Sequence, residues 1–321
     1  MRKSRRPIVI ASRRSELARR QSELVGAALG RLNPHIAVEY RWIETEGDRV
    51  SESAAARFGG KGLFVGALEN ALLAEDADIA VHSAKDLPAG SSSDGLTIAA
   101  IPRRADARDC LISADGHRAI DQLPPEARVG TSSPRRAAQI QRLRPDLRVV
   151  TLRGNVDTRL RKTLEERVCD ATLLAMAGLL RGGWEKHAVA PLDPDVMLPA
   201  ASQGALAVQC RADDHVSIRR CLPLNDPVSA AAVHAERAIV AGLGADCDAP
   251  VAVYAEPIGT RGVEGFRLRI RVLSIDGRQI VEMDEQVSAK EMTRTAKRLV
   301  VQLIERGADN MMSSRQEPAL R

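Results

Sequence analysis

Aromatic residues are scarce in this 321-residue chain, at 2% of the total. That scarcity counts against a protein that grips single-stranded nucleic acid by stacking bases. Lysine is scarce as well: it occurs seven times, so forty of the forty-seven basic residues are arginine. Codon bias in a GC-rich genome produces such an excess, so the total alone says little. Only the placement of particular arginines can point to an acidic ligand held by planar, bidentate guanidiniums. No run approaches the roughly 18 uninterrupted apolar residues that cross a bilayer. The opening "MRKSRRPIVIAS" has too short an apolar run for a signal peptide, and "SRRSELARR" stands where a cleavage site would fall. A cytoplasmic protein is expected.

Paired cysteines are also missing. Cys110, Cys169, Cys210, Cys221 and Cys247 are odd in number and contain no C-x-x-C spacing, which excludes a disulfide framework and a structural zinc site. The six histidines are scattered without ligand spacing, so no metal is expected. What remains is ordinary for a globular protein, 44% hydrophobic and 28% charged, in a chain long enough for two or three domains.

Strand and helix patterns alternate from the start. "PIVIAS" reads as a strand, residues 15–32 as an amphipathic helix with Ser15 as N-cap, and "AVEYRWIE", "DIAVHS" and "LTIAAIP" as further strands. A second alternating set begins near Asp109, with helices in "PRRAAQIQRLR" and "NVDTRLRKTLEERV". Both sets predict parallel-rich sheets flanked by helices. After "DPVSAAAVHAERAIVAGL", three hydrophobic strands and a final helix over 289–306 predict a small α+β unit. The tail "SSRQEPALR" is expected to be disordered.

Several strand-to-helix junctions carry dense polar groups. Arg13 and Ser15 follow the first strand. Thr131, Ser132 and Ser133 precede a helix whose first turn holds Arg135 and Arg136, and Arg153, Gly154, Asn155 and Arg159 surround another helix start. Exposed N–H groups and the helix dipole favour anions there, and arginine has the wrong sign for the dipole, so an acidic ligand at the same end would explain both. Solvated arginines beside ordinary caps are the plain alternative. "DIAVHSAKDLP" leaves a buried strand and at once presents Ser83, Lys85 and Asp86. Extended alternation sends Ser83 and Lys85 to one face and Asp86 to the other. In an arginine-lined cleft such a carboxylate could act as general acid or base, or stabilise a cation; otherwise it is a capping residue. "FGGKGLF" is not a phosphate loop, because Ala55 stands where the first glycine belongs and Gly62 follows Lys61. Cys247 sits between Asp246 and Asp248 in a glycine-rich loop, whose carboxylates would raise its thiol pKa. On these residues alone its role stays open between incidental and functional.

Together, "GGKGLF", "VHSAKDLP", "VGTSSPRR", "LRGNVDTRL", "LAMAGLLR" and "LPAASQGALAV" resemble the porphobilinogen deaminase (hydroxymethylbilane synthase) family, in its order and spacing, from Ile8 to the last helix. The resemblance implies an α/β protein of three domains: two α/β domains like those of periplasmic binding proteins and a smaller C-terminal α+β domain. Residues 1–103 with 204–222 would form the first, 104–203 the second and 223–321 the third. It implies a dipyrromethane cofactor joined by a thioether to Cys247. On it four porphobilinogen molecules are condensed head to tail with loss of ammonia, before hydrolytic release of the linear tetrapyrrole.

Substrate and product carry acetate and propionate groups, and by motif the residues implied to bind them are Arg13, Arg135, Arg136, Arg153, Arg159 and Arg181. Ser15, Ser83, Lys85, Thr131, Ser132, Ser133 and Gln203 match accompanying polar positions, Lys61 and Phe64 a loop over the site, and Asp86 the catalytic carboxylate. The chain departs from the family at Ala245 and Asp246, where glycines are usual, at Ser202 (glycine) and at Pro134 (leucine). A monomer acting on a small molecule, with neither nucleic acid nor membrane as partner, is the expectation. Two rivals are a non-catalytic anion-binding protein, which would have no use for Asp86 or Cys247, and a basic nucleic-acid binder, which predicts one contiguous basic face.

Overall fold

A computed structural model describes residues 6–44, 65–90, 94–245, 248–259 and 264–313. In chain order the first part contains β1 (Ile8–Arg13), α1 (Glu16–Leu32), β2 (Val38–Ile43), α2 (Gly66–Leu73), β3 (Ile79–Ser83) and β4 (Leu96–Ala100). Next come β5 (Asp109–Ser113), β6 (Arg128–Gly130), α3 (Pro134–Leu143), β7 (Arg148–Val150), α4 (Val156–Leu164), β8 (Ala171–Ala175) and α5 (Met176–Arg181). The chain continues through β9 (Leu206–Arg211), α6 (His215–Cys221), α7 (Pro227–Gly242), β10 (Val251–Ile258), β11 (Gly265–Leu273), β12 (Ile280–Val287), α8 (Met292–Glu305) and α9 (Ala308–Ser313).

These strands form three sheets, in the orders β2-β1-β3-β9-β4, β5-β8-β6-β7 and β10-β11-β12. The first two are mixed rather than purely parallel: β9 runs against β3 and β4, and β5 runs against β8. The reversed strands are the two that the chain enters from the other lobe. A connection arriving at the edge where the parallel strands end must start its new strand there and run the opposite way. Asp109, the first residue of β5, and Gln203, just before β9, are therefore delivered to that edge. The third sheet is wholly antiparallel and packs one face on α7 and α8, burying Phe266, Leu268, Ile270, Ile239 and Leu299. Its apolar alternation gives the α+β unit that the sequence pattern predicts.

β9 passes unnoticed in a sequence reading because "ALAVQC" is buried on both faces and lacks alternation. The turn before it is tight. Gly204 has φ +85°, and a Cβ there would stand 2.7 Å from the carbonyl oxygen of Ala105. Only glycine takes that conformation without strain. Ser202 also occupies the left-handed region, at φ +63°, which explains why glycine suits this position. A fully buried carboxylate, Glu236 of α7, ties the third domain to both crossings. It pairs with Arg104 (2.7 Å) and accepts from the backbone N–H groups of Ser202 (2.6 Å) and Ala255 (2.8 Å). Arg104 also donates Nε to the carbonyl of Gln203 (2.8 Å).

Candidate active site

Between the first two sheets lies a cleft of about 300 Å³ whose walls come from both. On the first-domain side β1 ends at Arg13 and α1 begins after Ser15, and both residues line the cleft. Ser15 occupies the N-cap position, yet its side chain makes no capping bond. β3 ends at Ser83 and the chain turns into a single 3-10 turn over Ala84–Asp86. That turn overrides the strand alternation: Ser83, Lys85 and Asp86 all line the cleft, rather than Asp86 pointing opposite to the other two. Lys85 donates Nζ to Gln203 Oε1 at 3.4 Å. Loss of hydration, opposed by Asp86 and reinforced by Arg136, lowers the Lys85 ammonium to about 8. His82, one residue before Ser83, is driven to about 4 by burial, so its imidazole is neutral at pH 7.

On the second-domain side the wall is organised around Asp109. Its carboxylate, fully buried, pairs with Arg135 (2.8 Å) and Arg136 (2.7 Å) and accepts from Gln203 Nε2 (2.9 Å). Burial alone would raise this carboxyl, but the two guanidiniums and the amide outweigh it and hold it well below the usual range. Gln203 gives its other N–H to the carbonyl of Ala107 (2.8 Å), which leaves its oxygen turned to Lys85. Arg136 reaches the cleft from this knot, whereas Arg135 is spent on Asp109 and on the carbonyl of Leu198 (2.6 Å) and does not line it.

Thr131, Ser132 and Ser133 build the turn into α3 without lining the cleft, Ser132 being exposed. The hydroxyl of Ser132 donates to the carbonyl of Leu152 (2.7 Å), Thr131 Oγ1 accepts from the Ser133 N–H (3.1 Å), and Ser133 caps α3 by accepting from the Arg136 N–H (3.5 Å). The α4 start differs. Asn155 makes no capping bond, and Arg159 folds back to donate Nε to the carbonyl of Gly154 (2.8 Å) while lining the cleft. Burial first, then the like charges of Arg136 and Arg153, bring Arg159 down to about 10, against the pull of Asp86. Arg153 is half-buried just outside the lining. Arg181, at the end of α5, is lowered to about 10 by burial and donates to the carbonyl of Gly204 (2.8 Å). The cleft is thus lined by four arginines, Arg13, Arg136, Arg159 and Arg181, and by Lys85, with Asp86, Glu16 and Asp157 as its acidic residues.

A family model for the dipyrromethane cofactor binding domain of porphobilinogen deaminase matches residues 8–219, and one for the C-terminal domain of that enzyme matches residues 230–306. The porphobilinogen deaminase of Syntrophobacter fumaroxidans is 42% identical over 308 residues, covering 96% of this chain and 97% of that protein. That of Geobacillus kaustophilus is 44% identical over 305 residues, covering 94% and 96%. The chain belongs to the porphobilinogen deaminase family. The methionine-binding protein MetQ overlaps in fold with a TM-score of 0.42 at 11% identity, over 69% of this chain and 90% of that one, too slight a likeness to argue from.

The family's dipyrromethane cofactor carries acetate and propionate groups, and the donor set suits it. Arg159 is depressed first by burial and then by Arg136 and Arg153, so a carboxylate placed among them would offset both the lost hydration and the repulsion that Asp86 only partly answers. Cys247, Lys61 and Phe64 lie outside the described residues, as do Asp246 and the tail from 314. Among the four described free cysteines all are buried, and Cys210 and Cys221 are pushed up to about 11 and about 12 by burial, which makes them poor nucleophiles. Sequence reasoning missed Asp109 as the centre of the wall. Its only sequence signal was an acidic residue at the head of an otherwise apolar strand, "DCLIS".

Proposed function

We propose that Asp86 carries the chemistry of this cleft while the surrounding arginines hold the carboxylates of substrate and growing chain. As a member of its family the chain is a transferase, hydroxymethylbilane synthase: it condenses four porphobilinogen molecules head to tail with loss of ammonia and releases the linear product by hydrolysis. The dipyrromethane cofactor, when bound, supplies the pyrrole terminus on which the chain is built. The carrying observation is Asp86, held beside Lys85 at the end of β3 and facing the field of Arg159. Its carboxylate pairs with the aminomethyl nitrogen of porphobilinogen, stands against the positive charge that grows at the methylene carbon as ammonia leaves, and takes the proton displaced at the pyrrole α-carbon. Arg13, Arg136, Arg159 and Arg181 orient the acetate and propionate groups, with Ser15, Ser83 and Lys85 beside them.

Thr131, Ser132, Ser133, Arg135 and Gln203 serve as the frame that holds Arg136 and Lys85 in place. Cys247 is the attachment point of the cofactor and Lys61 and Phe64 belong to a covering loop in this reading. The domain division at 1–103 with 204–222, 104–203 and 223–321 accompanies it, supported by the strand orders. No described helix is long and apolar enough to cross a membrane. A cytoplasmic monomer without nucleic-acid or membrane partners completes the proposal.

The test is Asp86→Asn, which keeps the side-chain volume and removes the base. Turnover of porphobilinogen should fall by about a hundredfold or more with unchanged melting, and full activity would remove the assigned role. The intact mass of the purified protein should exceed the sequence mass by two linked pyrrole units, and the excess should vanish in Cys247→Ala.

A further inference from the structure

We propose that Trp184 is a specificity-determining residue whose indole face stacks on a pyrrole ring in the cleft; this rests on the reading that the cleft accepts pyrroles. Arginines recognise carboxylates but cannot distinguish a pyrrole diacid from a linear one, so discrimination needs a flat apolar surface. The chain has seven aromatic residues. Tyr40 and Trp42 stack on each other along β2, Tyr254 lies under Arg104 and Arg269, and Phe266 is buried in the third core. Trp184 is the one described aromatic residue that lines the cleft, three positions beyond Arg181.

Its placement is built. The indole lies over Gly182, where a Cβ would stand 2.0 Å from Cζ3 and 2.2 Å from Cε3, so any side chain at 182 would evict the ring. Gly183, at φ +80°, makes the same allowance for Arg20 of α1, whose Nη1 would be 2.6 Å from a Cβ there. Trp184 packs on the core of the second domain, and its half-buried side chain is part of the cleft lining. A ring backed by a core and held over glycine is preorganised for stacking, because little rotamer freedom is left to lose on binding.

The test uses the holoenzyme. Trp42 is the only other tryptophan, so in a Trp42→Phe background Trp184 alone reports. Its emission should change on addition of porphobilinogen and saturate near KM. Trp184→Leu should raise KM for porphobilinogen about threefold to tenfold, leave kcat nearly unchanged, and leave inhibition by glutarate, a linear dicarboxylate, as it was. Trp184→Phe should recover most of the loss. A purely structural role would move both ligands together, and that result overturns the proposal. So does emission indifferent to porphobilinogen in an enzyme that turns it over normally, an outcome that leaves the functional reading intact. Absence of any turnover by the unmodified holoenzyme overturns the functional reading and this assignment with it.

Discussion

The helices α3 and α4 of the second domain begin alike in sequence, each with a polar turn and arginines at its first turns, yet the fold uses their charges in opposite ways. At α3, Arg135 and Arg136 turn inward onto the buried Asp109, whose single carboxylate answers one of their two charges. At α4, Arg153 and Arg159 crowd each other and Arg136, and Arg159 is lowered to about 10 by burial and that repulsion. Arg135 is held within the wall, Arg136 is shared between Asp109 and the cleft, and Arg159 lines the cleft with no carboxylate in salt-bridge contact among the described residues. An arginine in a motif is thus available to a ligand only to the extent that no internal carboxylate has claimed it.

The largest effect expected from this contrast is on stability. Asp109→Ala strands two buried guanidiniums and should cost about 3–5 kcal/mol in chemical denaturation. Arg159→Ala should stay within about 1 kcal/mol of the parent while raising KM for porphobilinogen about tenfold or more. Equal destabilisation by the two substitutions would erase the distinction drawn here.

A smaller effect separates lysine from arginine in the same cleft. Lys85 titrates near 8 rather than its ordinary 10.5, so its charge is lost as pH rises through about 8, and the affinity for carboxylates should weaken over that interval. The consequence for stability has the opposite sign. The folded state sheds this proton before the unfolded one, so the Lys85 contribution becomes more favourable between about 8 and the unfolded value. A KM–pH profile that keeps its shape in Lys85→Arg, which stays charged, would show that another group is responsible.

The smallest effect concerns the crossing that delivers Gln203. Ser202→Gly should relieve the positive φ and remove a buried hydroxyl that makes no hydrogen bond, while keeping the backbone N–H on Glu236. Set against the entropy of an extra glycine, the net gain should be about 1 kcal/mol, read as a rise in melting midpoint. A fall would mean that the Ser202 hydroxyl is used in a way these contacts do not account for.

Much of this was legible in the chain. Periodicity located β1, α1, β3, α3, α4, α7 and the third sheet, through apolar positions that recur at strand or helix spacing. The glycine preference at 202 agrees with a left-handed backbone found there. Two things were not legible. β9 has no polar face to betray its period, and its partners β3 and β4 are more than a hundred residues away in sequence. The turn at Ala84–Asp86 breaks an alternation that sequence alone would continue, and it brings Lys85 and Asp86 to the same cleft.

The sequence by itself determined the family, most of the elements and the kinds of groups at the strand ends, because residue type and spacing largely set local conformation and chemistry. Only the tertiary structure decided which charges are spent and which remain for a ligand. Asp109 is the residue that decides it: a single buried carboxylate, brought to the sheet edge by a chain crossing between lobes, withdraws Arg135 from the cleft and anchors Arg136 at its margin. Coulomb energy depends on distance and burial, and neither is written in the order of residues.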